Sequence, residues 1–209
     1  MFKIIRSLFK KDTKLLEENI KMKKYLIVGL GNIGEKYEHT RHNIGFKIID
    51  YFCSKEKINF VNEKLAFKAE YNLKGRKFIF IKPNTYMNLS GKAVKYWLQK
   101  ENVPLENLLI ITDDLNLPFG HFRVKGKGSD GGHNGLKDIQ EKINTSIYNR
   151  FRFGISATFS KGKQVDYVLG EWSVEEKASL QERLDKCTEI IKSFVLSGVN
   201  NTMNTFNGK

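Results

Sequence analysis

The sequence is poor in cysteine and contains no long apolar run. Its two cysteines, Cys53 and Cys187, lie far apart and outside any metal-ligand spacing. Each sits among apolar periodic residues, as buried free thiols of a reducing compartment do, so a cytoplasmic protein is expected. No stretch approaches the ~20 apolar residues that a membrane span needs, and no segment repeats. Residues 1–21 have no small-residue cleavage site, and Lys and Arg interrupt their apolar run, which makes them a poor secretory signal.

What is present is a core-forming composition with a strong positive bias. Of 209 residues, 40% are hydrophobic and 12% aromatic, enough for one sizeable α/β domain. Lys and Arg number 36 against 23 Asp and Glu, a formal charge of +13. Residues 1–21 hold six basic and three acidic side chains, leaving 30 against 20 for the rest, so the folded part is basic by itself. Such a balance fits either a lysine-rich soluble surface or a polyanionic partner such as nucleic acid. In the first segment Phe2, Ile5, Leu8 and Phe9 recur at helical spacing between basic residues, a pattern able to lie on a membrane surface or a partner. The reading adopted is a flexible extension over 1–21, ahead of a start at Met22, and one domain over 22–209.

Periodicity outlines that domain. Tyr25–Val28 reads as a buried strand ending in glycine, and a helix is expected from Asn43 to Lys55. Residues 66–82 read as a hairpin turning at Lys74-Gly75-Arg76. Pro83–Ser90 forms a loop in which Ser90 caps a helix from about Gly91 to Lys100. Leu108–Thr112 is a second apolar strand, with Asp113 and Asp114 directly after it. Residues 125–135 are glycine-rich and lead into a helix from about Leu136, and 151–158 form another strand. Ser173-x-x-Glu176 is a capping box for a long helix that Gly198 ends, with a polar tail beyond. The alternation predicts a three-layer α/β domain whose mixed, partly parallel twisted sheet is flanked by helices.

The turn Gly29-Leu30-Gly31-Asn32-Ile33-Gly34 has the spacing of a dinucleotide fingerprint. That fingerprint needs a helix starting inside the glycine loop, whereas Gly34 is followed by a charged stretch without an apolar face, and Asp50 falls in a helix. A different chemistry fits better. His42 and Asp113 both lie after strands, where α/β folds gather their sites, and a histidine beside a carboxylate can act as general base. Asn32, Asn88 and Asn134 share such loops, and converging amides suit a neutral carbonyl or a developing oxyanion. Arg123, Lys125 and Lys127 alternate onto one side of a strand and, with Arg152, would clamp phosphate; the alternative is a solvated strand edge. His39 reads as a solvated loop residue, His121 as a neighbour of the basic strand, and His133 as an aid in orienting Asn134.

Five motifs, VGLGNIG, TRHNIGF, KPNTYMNLSGKAV, DDLNLPFG and GSDGGHNGLKDI, resemble in order and spacing those of the bacterial peptidyl-tRNA hydrolase family, over residues 23–200. The resemblance implies an enzyme that cleaves the ester joining a peptide to tRNA, recycling the tRNA, without metal or cofactor. It implies His42 as the catalytic histidine and Asp113 as the aspartate stabilising its basic form. Asn32 matches the asparagine that distinguishes blocked from free aminoacyl ends. Tyr37, Tyr86, Asn88 and Asn134 match contacts to the tRNA end or the peptide, Met87 and His133 pocket-lining neighbours, and Arg123, Lys125 and Arg152 basic positions at the tRNA. Tyr86 stands where phenylalanine is common, Arg123 where lysine is, and Thr112 and Asn116 where histidine and aspartate are frequent. Peptidyl-tRNA is then the partner, with no membrane partner and a monomeric enzyme expected. A non-catalytic RNA-binding protein on the same fold is the competing reading, and an NAD-binding protein a third.

Overall fold

The structure, a computed structural model, describes residues 22–208; the flexible extension expected over 1–21 lies outside them. Seven strands form one sheet: β1 Lys23–Gly29, β2 Val61–Glu63, β3 Ala66–Leu73, β4 Arg76–Pro83, β5 Leu108–Asp114, β6 Phe122–Lys125 and β7 Asn149–Gly154. Their order is β2-β3-β4-β1-β5-β7-β6. β4, β1, β5 and β7 run parallel, while β2-β3-β4 and β7-β6 pair antiparallel at the two edges. The helices are α1 Ile44–Lys55, α2 Ser90–Glu101, α3 Asn134–Ile143, α4 Gln164–Val168, α5 Val174–Ser197 and α6 Val199–Phe206. The expected mixed, three-layer α/β architecture is what forms.

Strand alternation divides the core in two. Ile27, Phe78, Phe80, Leu109 and Ile111 face α1 and α5, packing with Phe52, Leu184, Ile191 and Phe194. Their neighbours Leu26, Val28, Ile79, Ile81 and Ile110 face the other way, onto Val94 and Trp97 of α2 and Leu136 and Ile139 of α3. A central parallel sheet is covered on both faces, so its strands read as unbroken apolar runs. α1 crosses unusually close to β1: a Cβ on Gly29 would sit 2.3 Å from the Gly45 carbonyl oxygen. This crossing brings the chain just before α1, which carries His42, against the loop after β1.

Local expectations largely hold. Lys74 and Gly75 take φ of 48° and 69°, the doubly left-handed turn that matches the twist of a tight hairpin. Ser173 and Glu176 form the capping box of α5. Four details differ. The strand expected over 151–158 is β7, Asn149–Gly154. Ser90 does not cap α2; it is the helix's first residue and its hydroxyl donates back to the Met87 carbonyl at 2.8 Å. The free Gly91 amide is instead taken by the Asp138 carboxylate from α3, at 2.6 Å. The polar tail is the amphipathic helix α6, with Thr202 and Phe206 buried. Finally, Asp113 and Asp114 are the last residues of β5 itself, both buried.

Candidate active site

Near the end of β5, Asp113 is buried between two imidazoles. One comes from the 3-10 turn Arg41–Asn43 before α1, the other from the residue capping α3. His42 Nδ1 lies 3.0 Å from both carboxylate oxygens, and His133 Nε2 lies 3.0 Å from Oδ1. Backbone donors set the tautomer of the second ring. His133 Nδ1 accepts from the Gly135 and Leu136 amides at 3.1 and 3.3 Å, so its proton sits on Nε2, directed at Asp113 and at Thr112 Oγ1, 2.7 Å away. Asp113 therefore receives two ring N–H groups, and His42 keeps an unbonded lone pair on Nε2.

Electrostatics supports this assignment. Burial alone would raise the Asp113 carboxyl, but the charges and hydrogen bonds of His42 and His133 hold it well below the usual carboxylate range. For His42, burial lowers the pKa, while the charge of Asp113 and its hydrogen bond outweigh that and leave it above 6.5. His42, Asp113 and His133 lie close enough together to be read as a metal site. Their hydrogen bonds give them another use, since the nitrogens nearest the carboxylate already donate to it. Cys53 and Cys187 are buried free thiols, and burial, the first of several causes, pushes Cys53 up to about 12, so neither is a ready nucleophile.

Asn32 is held from two sides. Its backbone exchanges hydrogen bonds with the Asn43 carboxamide at 2.8 and 2.9 Å, and its Oδ1 accepts from the Met87 amide at 2.8 Å. With the oxygen engaged, the Nδ2 donors of Asn32 stay uncommitted. The Met87 thioether then rests on α3 so tightly that a Cβ on Gly135 would lie 2.7 Å from its sulfur. A closed circuit results: Asn32, Met87, Gly135, His133, Asp113, His42, Asn43 and back to Asn32. Asn43, 3% exposed, completes this circuit and was not singled out from the sequence. Its signal was an amide directly after the histidine. No helix begins in the glycine turn; a 3-10 turn, Glu35–Tyr37, follows it, so the loop offers no helix N-terminus to a pyrophosphate.

A cavity of about 520 Å3 opens beside the imidazoles, and His42, Asp113, His133, Asn134, Lys125 and Arg152 all line it. Asn32, Tyr37, Tyr86, Met87, Asn88 and Arg123 do not. Met87 is buried, Tyr86 and Asn88 are exposed on the turn ahead of α2, and Tyr37 is half-buried beneath Lys36. Arg123 and Lys125 do share the exposed side of β6, opposite Arg152 and Arg150 on β7. The strand ends at Lys125, so Lys127 lies beyond it, exposed. Arg152 is less free than expected, because its Nε pairs with the buried Asp114. Asn116, in turn, donates its amide to Asp114 at 2.8 Å. Arg150, which sequence reasoning passed over, is buried and ties the Ser129 and Ser146 carbonyls to β7, each at 3.0 Å. His39 and His121 are exposed and stand apart from this cavity.

No helix among the described residues is long and apolar enough to cross a membrane. The family model for peptidyl-tRNA hydrolase matches residues 26–209. A peptidyl-tRNA hydrolase of Parabacteroides distasonis is 56% identical over 186 residues, 89% of this chain and all of that protein. One from Phocaeicola vulgatus is 54% identical over the same share of each. A crystal structure of the Acinetobacter baumannii peptidyl-tRNA hydrolase superposes with a TM-score of 0.83 at 33% identity, covering 90% of this chain and 96% of that one. The chain belongs to the peptidyl-tRNA hydrolase family, and its reaction is the hydrolysis of peptidyl-tRNA.

Proposed function

We propose that His42 is the general base of this hydrolysis and that the carboxamides around it hold the substrate. The observation that carries the reading is the double engagement of Asp113: with its carboxylate receiving Nδ1–H of His42, the imidazole presents Nε2 as a base beside an open cavity. A water placed there loses a proton to Nε2 as its oxygen bonds to the ester carbonyl carbon. The tetrahedral oxyanion collapses by expelling the tRNA 3′ oxygen, which takes the proton back from the imidazolium. Peptide acid and free tRNA leave, and the base is restored.

Asp113 keeps His42 in the productive tautomer and stabilises the imidazolium. Asn32, with its oxygen held by the Met87 amide, offers Nδ2 donors to the oxyanion or to the blocked amino end. Asn88 and Asn134 position the peptide, Tyr37 and Tyr86 lend aromatic faces to the tRNA end, His133 lines the pocket, and Met87 backs it from beneath, packed against Gly135. Arg123, Lys125 and Arg152 meet tRNA phosphate. The buried thiols suit a reducing compartment, so we read the protein as cytoplasmic, and we take it as a monomer, as the family resemblance implies. The test is peptide release from N-blocked aminoacyl-tRNA, with free aminoacyl-tRNA as control. Release from the blocked substrate alone is expected; tRNA binding without release would refute the reading.

A further inference from the structure

Arg41, directly before His42, is one of two buried arginines among the described residues. A buried guanidinium is costly unless its charge and its donors are matched. Glu176 accepts from Nη2 at 2.7 Å and from Nε at 3.3 Å, a forked contact that lysine cannot reproduce. The guanidinium lies over the Tyr167 ring, 4.4 Å from its centroid, with Trp172 at 5.7 Å. Nη1 donates to the Tyr167 carbonyl at 3.4 Å, and the Arg41 amide to the Gly170 carbonyl at 3.0 Å. Thr40 bridges to Glu171 beside them.

All these partners belong to the stretch 167–176, which leads from α4 into α5. Gln164, Val165 and Val168 of α4 line the same cavity as His42. The turn carrying His42 is a single 3-10 turn with no side-chain cap at its start, too short to hold its own shape. Its place depends on the flanking side chains: Asn43 grips Asn32 on one side, and Arg41 grips 167–176 on the other. Between them His42 meets Asp113 from β5 and His133 from the start of α3, while Glu176 faces Arg41 from α5.

We propose that Arg41 is a positioning residue for the reaction. Through Glu176 and Tyr167 it joins the His42 turn and the α4 wall of the cavity into one unit, so substrate seated against α4 lies in register with the imidazole. The proposal rests on the reading of His42 as base. It also gives Glu176 two uses, since the Oε2 that accepts from Arg41 also accepts the Ser173 amide of the capping box, at 2.7 Å.

Arg41→Lys keeps the charge but loses the fork and the flat stacking face; Glu176→Gln keeps a cap acceptor and loses the charge. For Arg41→Lys, kcat on N-blocked aminoacyl-tRNA is expected to fall ~10- to 100-fold, more than KM rises. The ascending limb of its kcat–pH profile is expected to move down toward that of an unpaired histidine, as the His42–Asp113 contact loosens. Glu176→Gln is expected to shift both readouts the same way by less, and the double variant to be non-additive. Thermal unfolding identifies which variants are folded, and Glu176→Gln carries the test if Arg41→Lys is not. Wild-type kcat and an unmoved limb in a folded variant would overturn the proposal, leaving the cluster a stabilising contact only. His42→Ala is assayed alongside, and turnover in that variant would remove the base assignment independently of Arg41.

Discussion

Asn43 and Asn32 hold each other by two hydrogen bonds, the Asn43 carboxamide accepting from the Asn32 amide at 2.8 Å and donating to the Asn32 carbonyl at 2.9 Å. This pair joins the glycine turn after β1 to the turn carrying His42. The orientation of the Asn32 side chain and the position of the imidazole thus have a common origin.

Asn43→Ala leaves both Asn32 backbone groups without their partner. A stability loss of ~1–2 kcal/mol is expected in denaturant unfolding, together with a lower kcat, because the Asn32 donors and the His42 turn lose their common anchor. Unchanged stability and kcat would show that the clamp is idle.

Asp113→Asn tests the pH behaviour. The pKa of His42 is held above 6.5 because the charge and hydrogen bond of Asp113 outweigh burial. If His42 is the base, turnover requires its neutral ring, so the wild-type rate should rise with pH along a limb lying above the ordinary histidine value. In Asp113→Asn both raising causes vanish and burial remains, so the limb should move to lower pH. The plateau should fall ~100-fold or more, since a carboxamide no longer fixes the tautomer. A limb that stays in place would mean that another group titrates.

His133 has two duties that can be separated. His133→Asn retains an acceptor for the α3 amides but loses the N–H to Asp113, so near-native thermal stability with reduced kcat is expected. His133→Ala loses both and should also be less stable by ~1 kcal/mol. Equal stability in the two variants would deny the capping role.

Lys125 and Arg152 should differ in the salt dependence of tRNA binding. Lys125→Ala removes an exposed cation, and the slope of log Kd against log salt should shrink by ~1. Arg152 is neutralised by Asp114, so Arg152→Ala should reduce the slope by less. Equal reductions would show that tRNA displaces Asp114.

Most of the sheet was legible because its signals are local. The runs Tyr25–Val28 and Leu108–Ile111 are apolar throughout, and the hairpin announces itself by two β-rich runs that meet at Lys74-Gly75. The Ser173/Glu176 box is likewise contained in four residues. What was hidden depends on distant partners or weak patterning. β2 is three residues long with no buried side chain, and α6 has few apolar residues to mark its face. Ser90 has the composition of a cap, but the free Gly91 amide is taken by Asp138, 47 positions further on. At the cavity, His42, Asp113 and Asn134 could be named from sequence, whereas Asn88, named on the same grounds, lies exposed away from it. The use of Asn43 could not be read so: an amide after the histidine is visible, but its partner is the Asn32 backbone, which leaves no mark on sequence. The pairing of Arg152 with Asp114 was hidden for a related reason: a positive residue on a strand reads as solvent-facing until the neighbouring strand supplies its carboxylate.

Peptide release by His42→Ala is the most direct measurement of the central claim. With N-blocked aminoacyl-tRNA at saturation, kcat should fall by at least ~100-fold, while tRNA affinity and thermal stability stay at wild-type values. Near-wild-type kcat in the folded variant would contradict His42 as the base.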